Sequence, residues 1–145
     1  MSQILVIGYG NPSRQDDGVG HYVADRVEYL SNNKIDKILC HQLGIELAET
    51  IKDYDLVIFV DAHVGDRSTD IEITHLESLY SVFAFTHSVK PSLLIALTES
   101  LYQKKPKAFL VSINGYNFDF GTELSPETQK LADIAAGRIL ELINQ

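Results

Sequence analysis

Asp16 and Asp17 are adjacent carboxylates that follow a glycine turn, within the run Ile4 to Gly20 that reads ILVIGYGNPSRQDDGVG. A glycine turn between a strand and a helix suggests a dinucleotide-phosphate site, but that fingerprint wants a third glycine where this chain has Ser13. Two carboxylates beside a helix N-terminus also take up its positive potential, so they repel a phosphate and are suited to a cation. A plainer reading stands beside this one: both aspartates cap the helix and favour its dipole, although one cap needs only one aspartate. Further along, Asp61 closes the apolar run Leu56 to Val60, and His87 stands in Phe85-Thr86-His87-Ser88, just ahead of Pro91. Carboxylates and an imidazole at such places are candidates for a shared crevice.

The elements that must position them follow from hydrophobic spacing. Ile4-Leu5-Val6-Ile7 and Leu56 to Val60 are continuous apolar runs, as expected of parallel strands covered on both faces. Gly8 and Gly10 suit a turn with unusual dihedrals, and Val19, Val23 and Val27 recur at helical spacing right after it. Lys37 to Gln42 reads as a short strand and Ile45 to Lys52 as a short helix. Asp70 to Leu76 follows Asp61 too closely for a crossover helix, so it is expected antiparallel at an edge. Pro91 opens a helix whose Leu94, Leu97 and Leu101 share a face, and Ala108 to Ile113 is another strand. Ser125-Pro126-Glu127 starts a last helix with a stripe of Leu131, Ala135, Ile139 and Leu142. This order predicts an α/β fold: a three-layer α/β/α sandwich around a mostly parallel, about five-stranded twisted sheet with one antiparallel edge strand. In such folds ligands collect beyond the carboxyl ends of the strands, where Asp17 and Asp61 are expected.

Composition narrows the function classes. The 145 residues form one expected domain, 1–145, with no repeat and no Pro-, Gly- or Ser-rich linker. With 20 acidic and 12 basic residues the net charge is −8, and Lys104-Lys105 is the longest basic run, which argues against nucleic acid or an anionic membrane as partner. Cys40 is the only cysteine, so no internal disulfide forms, and a reducing compartment fits. No apolar stretch approaches the ~18 residues of a membrane span. Met1-Ser2-Gln3 leads into the first strand without a basic leader, and a cytoplasmic protein, monomeric, is expected.

Four fragments in order resemble the hydrogenase maturation proteases, endopeptidases that trim the C-terminal extension of a nickel-iron hydrogenase large subunit. They are Gly8-Tyr9-Gly10-Asn11 with Asp16-Asp17-Gly18-Val19-Gly20, then Val60-Asp61-Ala62, then Thr86-His87 before a leucine-rich helix, then Leu124-Ser125-Pro126-Glu127. The resemblance spans nearly the whole chain, and it implies that Asp17, Asp61 and His87 bind a metal. That family tolerates glutamate or aspartate at the first of these positions, and this chain departs at none of the three. Imidazole with carboxylate oxygen suits nickel or zinc rather than calcium, with bonds of about 2.0 to 2.2 Å. The resemblance further implies that the nickel arrives with the substrate, the large-subunit precursor, so that cleavage checks metal insertion; zinc or cadmium would substitute for it in crystals. Metal-assisted attack by water is the expected mechanism, with Asp16 either supporting the ligands or acting as the base.

Other residues have weaker claims. His63, two positions after Asp61, is an alternative ligand to His87, and His21 is expected at the rim. His41 and His75 fall in expected strands, and Cys40 reads as a small buried hydrophobe. Asn11 and Gly44 are candidates for hydrogen bonds to a bound peptide. No G-x-S-x-G turn and no H-E-x-x-H occurs. Two rivals from other classes remain: a non-catalytic flavodoxin-like ligand-binding module, and a hydrogenase assembly chaperone that binds the precursor without cutting it.

Overall fold

A computed structural model describes residues 2–64, 69–77 and 89–145. The apolar run at the start forms β1 (Ile4–Tyr9), buried from Ile4 to Gly8. It lies between β2 (Asp36–Cys40) and β3 (Leu56–Val64), and β5 (Lys107–Gly115) and β4 (Ile71–Leu76) complete a sheet of order β2-β1-β3-β5-β4. All pairings are parallel except that of β4 with β5, which is antiparallel at the edge, as expected.

Alternation along the strands divides the core in two. Val6, Ile58, Val60, Val111 and Ile113 face α1 (Val19–Leu30) and α4 (Pro126–Ile143). Leu5, Ile7, Val57, Phe59 and Ala108 face the other way, with α2 (Leu47–Ile51) and α3 (Pro91–Tyr102). Helices thus cover both faces, which is why the inner strands are apolar throughout rather than alternating. No helix among the described residues is long and apolar enough to cross a membrane.

The chain passes from β1 through α1 to β2 on one side, then returns to β3 on the other. This reversal makes a crevice between the carboxyl ends of β1 and β3. Two glycines bring α1 down onto it. A Cβ on Gly8 would collide with the Gly20 carbonyl, and one on Gly20 with the Val60 carbonyl, so the first turn of α1 lies directly on β1 and β3. Gly20→Ala is therefore expected to destabilise the protein by about 1–3 kcal/mol through overpacking, although alanine is the better helix former. Equilibrium urea unfolding measures this, and an unchanged midpoint would show that α1 can shift outward at no cost.

Several boundaries differ from the sequence expectation. β3 does not end before Asp61 but runs to Val64, because β5 offers partners as far as Val64↔Gly115. The last β1–β3 pair is Gly8↔Val60, so Asp61 lies level with Tyr9, the final residue of β1. β2 stops at Cys40, whose carbonyl accepts from Gly10 N, and His41 lies outside the strand. In α3 the buried face is Leu94, Ile95 and Thr98, while Leu101 is exposed because the last turn runs past the core. In α4 the buried stripe is Ala132, Ala135, Ala136, Ile139 and Ile143, with Leu131 and Leu142 on its half-buried flanks.

Candidate functional site

The turn Tyr9-Gly10-Asn11 at the end of β1 holds both candidate carboxylates. Tyr9 Oη donates to Asp61 Oδ2 at 2.9 Å, and Asn11 N donates to Asp17 Oδ2 at 2.8 Å. Gly10 between them has φ +136°, and a Cβ there would meet the Asp17 carbonyl, so no other residue fits without strain. Asn11 Oδ1 accepts from Ser13 N at 2.9 Å, which shapes the turn further. Burial, and then the Asp61 carboxylate, push the Tyr9 phenol far above its ordinary pKa, so Tyr9 stays protonated and keeps donating. Tyr9 is thus a site residue that sequence reasoning missed: its partner lies 52 positions away and no local motif links them.

Asp17 and Asp16 occupy a 3-10 turn, Gln15–Gly18, ahead of α1, and neither caps that helix by a side-chain hydrogen bond. They point to different surroundings. Asp16 is fully buried beneath the β5–α4 connection. Its Oδ2 accepts from Tyr116 N at 2.8 Å, Asn117 N at 2.9 Å, Ser125 Oγ at 2.7 Å and Thr128 Oγ1 at 2.9 Å, while Oδ1 accepts from Ser125 N at 2.7 Å. Burial alone would raise its pKa. The hydrogen bonds from Ser125, Tyr116 and Asn117 favour the charged form and win, leaving the carboxyl below its usual range. Ser125 is the N-cap of α4, so Asp16 is a fixed anion at that helix's positive end. The Ser125-Pro126 signal identified the helix start but gave no hint of this partner.

The histidines separate clearly. His63 is buried, with Nδ1 2.8 Å from Ser112 Oγ and Nε2 3.2 Å from the Thr69 carbonyl. A carbonyl can only accept, so Nε2 carries a proton and both ring nitrogens are engaged. His21 donates through Nε2 to the Cys40 carbonyl at 3.0 Å, which ties α1 to the end of β2. His75 is exposed on β4 against Phe109, with ring centroids 5.1 Å apart. Cys40 is half-buried, and burial, then Glu46, raise its thiol pKa, so it is no activated nucleophile. His87 lies outside the described residues. Among the described residues, no three His, Cys, Asp or Glu side chains form a group that could hold a metal ion.

No protein-family model matches the chain, and no curated protein sequence matches it significantly. Solved structures do match over nearly its full length. The hydrogenase maturating endopeptidase HybD from E. coli is 20% identical with a TM-score of 0.74, covering 98% of this chain and 92% of that one. The [NiFe] hydrogenase maturation protease HycI from Thermococcus kodakarensis is 23% identical with a TM-score of 0.74, covering 99% and 94%. The hydrogenase 2 maturation peptidase from a Thaumarchaeota archaeon is 23% identical with a TM-score of 0.72, covering 97% of each chain. At these identities the likeness establishes that the fold is shared.

Proposed function

We propose that this chain is an endopeptidase that removes the C-terminal extension of a nickel-iron hydrogenase large-subunit precursor after nickel insertion, recognising the nickel that the substrate carries. The observation that supports this reading is the turn Tyr9-Gly10-Asn11 at the end of β1, which hydrogen-bonds Asp61 through Tyr9 Oη and Asp17 through Asn11 N. Its support is the fold shared end to end with proteins named as hydrogenase maturation proteases. A cytoplasmic, monomeric enzyme is the setting that goes with this reading.

Asp17, Asp61 and His87 are the proposed donors to the substrate's nickel. Oxygen and imidazole nitrogen suit a borderline cation, and a protein set this small leaves room for ligands that the precursor brings. Nickel held there supplies Lewis-acid polarisation of the scissile carbonyl. Tyr9 keeps Asp61 in place, and Asn11 N does the same for Asp17. The hydrogen bonds onto both oxygens of Asp16 favour a role in anchoring the turn that carries Asp17 over the role of base. The engagement of both His63 nitrogens favours His87 as the imidazole donor.

The test is incubation with nickel-loaded and nickel-free precursor, followed by intact-mass measurement of the large subunit. Loss of the C-terminal peptide from the nickel-loaded form alone is expected. A stable complex whose mass never changes would mean an assembly chaperone instead. Efficient cutting of nickel-free precursor by enzyme preloaded with zinc or nickel would mean an autonomous metalloprotease, and recognition of substrate nickel would then be wrong.

A further inference from the structure

The Cys40 carbonyl, at the end of β2, takes hydrogen bonds from two different elements. Cys40 is level with Tyr9 in the β1–β2 register, and its carbonyl accepts from Gly10 N at 3.1 Å, one residue past the end of β1. A carbonyl oxygen has a second lone pair, and here it accepts from His21 Nε2 at 3.0 Å, in the first turn of α1. One oxygen thereby joins β2, the glycine turn and α1. Because β2 is an edge strand and the chain bends away after Cys40 with His41 and Gln42 exposed, these two donors are what orient its peptide plane.

Both candidate carboxylates depend on the turn that this oxygen holds. Gly10 stands between Tyr9, whose Oη donates to Asp61 Oδ2 at 2.9 Å, and Asn11, whose N–H donates to Asp17 Oδ2 at 2.8 Å. Its φ of +136° suits glycine, the residue with the widest choice of other conformations, so the turn keeps one shape only while its polar groups are held. The Gly10 N–H is the group held by Cys40. His21 itself is half-buried, so its removal empties no apolar core.

We infer that His21 is a positioning residue for the proposed cleavage: through the Cys40 carbonyl it steadies the Gly10 amide, and through that turn it sets the placement of Asp61 and Asp17 together. This rests on the endopeptidase reading and adds to it a residue of α1. It differs from a rim histidine that touches substrate, because the Nε2 proton is engaged within the protein.

Two variants test it. His21→Phe keeps a planar ring and removes the donor, whereas His21→Gln keeps an amide N–H at a similar reach. Each is compared with the parent in kcat and KM on nickel-loaded precursor, in thermal melting, and in amide hydrogen exchange by NMR without substrate or metal. For His21→Phe the expected result is a kcat lowered about tenfold with KM within roughly twofold, because misplaced reacting groups cost rate more than binding. Exchange at the Gly10 amide should quicken by about tenfold while that at Ile7, in mid-strand, stays unchanged. Melting should fall by no more than a few degrees, since the Cys40 carbonyl keeps its Gly10 donor. His21→Gln should restore most of both losses.

A raised KM with kcat intact would make His21 a substrate contact and overturn the proposal. Unchanged Gly10 exchange, or a kcat within about twofold of the parent, in His21→Phe would overturn it as well. So would failure of His21→Gln to recover kcat, which would assign the loss to ring packing. In each of these cases cleavage by the parent leaves the endopeptidase reading standing. If the parent never cuts nickel-loaded precursor, that reading fails, and this inference with it.

Discussion

Asp16→Ala is expected to cost about 3–5 kcal/mol of stability, the range seen when a buried, hydrogen-bonded network loses its charged member. The substitution leaves the N–H groups of Tyr116, Asn117 and Ser125 and the hydroxyls of Ser125 and Thr128 without their shared acceptor, at a place where Asp16 itself is fully buried. Against the ~5–15 kcal/mol of a typical domain this is a large fraction. Asp16→Asn should rescue little, because its amide nitrogen would turn a donor toward donors. Urea unfolding followed by circular dichroism gives the loss, and a value under ~1 kcal/mol would mean that water replaces the carboxylate without difficulty. The pH dependence has a definite sign. The folded pKa lies below the ordinary value of 3.8, so the contribution is complete above that value and is lost as pH falls through the folded one. The gap between parent and Asp16→Ala should therefore narrow only in acid.

Asp61→Ala is expected to abolish cleavage of nickel-loaded precursor while leaving the fold intact. Asp61 is half-buried at the rim, and its removal empties no apolar core. Tyr9→Phe provides the graded comparison, since it removes one hydrogen bond to Asp61 and nothing else of the ligand set. Loss of an outer partner of this kind costs roughly 10–100-fold, so Asp61→Ala must fall well below Tyr9→Phe if Asp61 is a direct ligand. Equal rates for the two variants would place Asp61 outside the reaction. Melting curves for both, within a few degrees of the parent, separate this from unfolding.

What the sequence made legible was what is local. The four-residue apolar run before Gly8, the Val19-Val23-Val27 spacing and the Ser125-Pro126 start each specified its own element, because periodicity and capping act within a few residues. The edge position of β4 followed from too little chain for a crossover. What stayed hidden depends on partners far along the chain. β3 extends past Asp61 only because β5 is there to pair with it, and the buried face of α3 is set by which residues reach the sheet rather than by the leucine spacing. The same holds in the site. Asp16 and Asp17 look equivalent in sequence, yet one is enclosed by donors 100 to 112 positions away and the other is held by the neighbouring turn. No pattern of residue types distinguishes them, because the difference is made by the arrival of the β5–α4 connection.

That arrival also sets an order of events during folding. The residues of β1, the glycine turn and α1 all lie within the first 30 positions, but the Asp16 carboxylate finds its donors only at Tyr116 to Thr128. Closing loops of this length is slow relative to forming a helix or a turn. The turn's local hydrogen bonds need only short loops to close, whereas the Asp16 bonds need the whole intervening chain, with α4 packed against α1 in the same core. Until the β5–α4 connection arrives, the local hydrogen bond from Asn11 N is what holds Asp17, and the Asp16 side of the same turn stays without its donors.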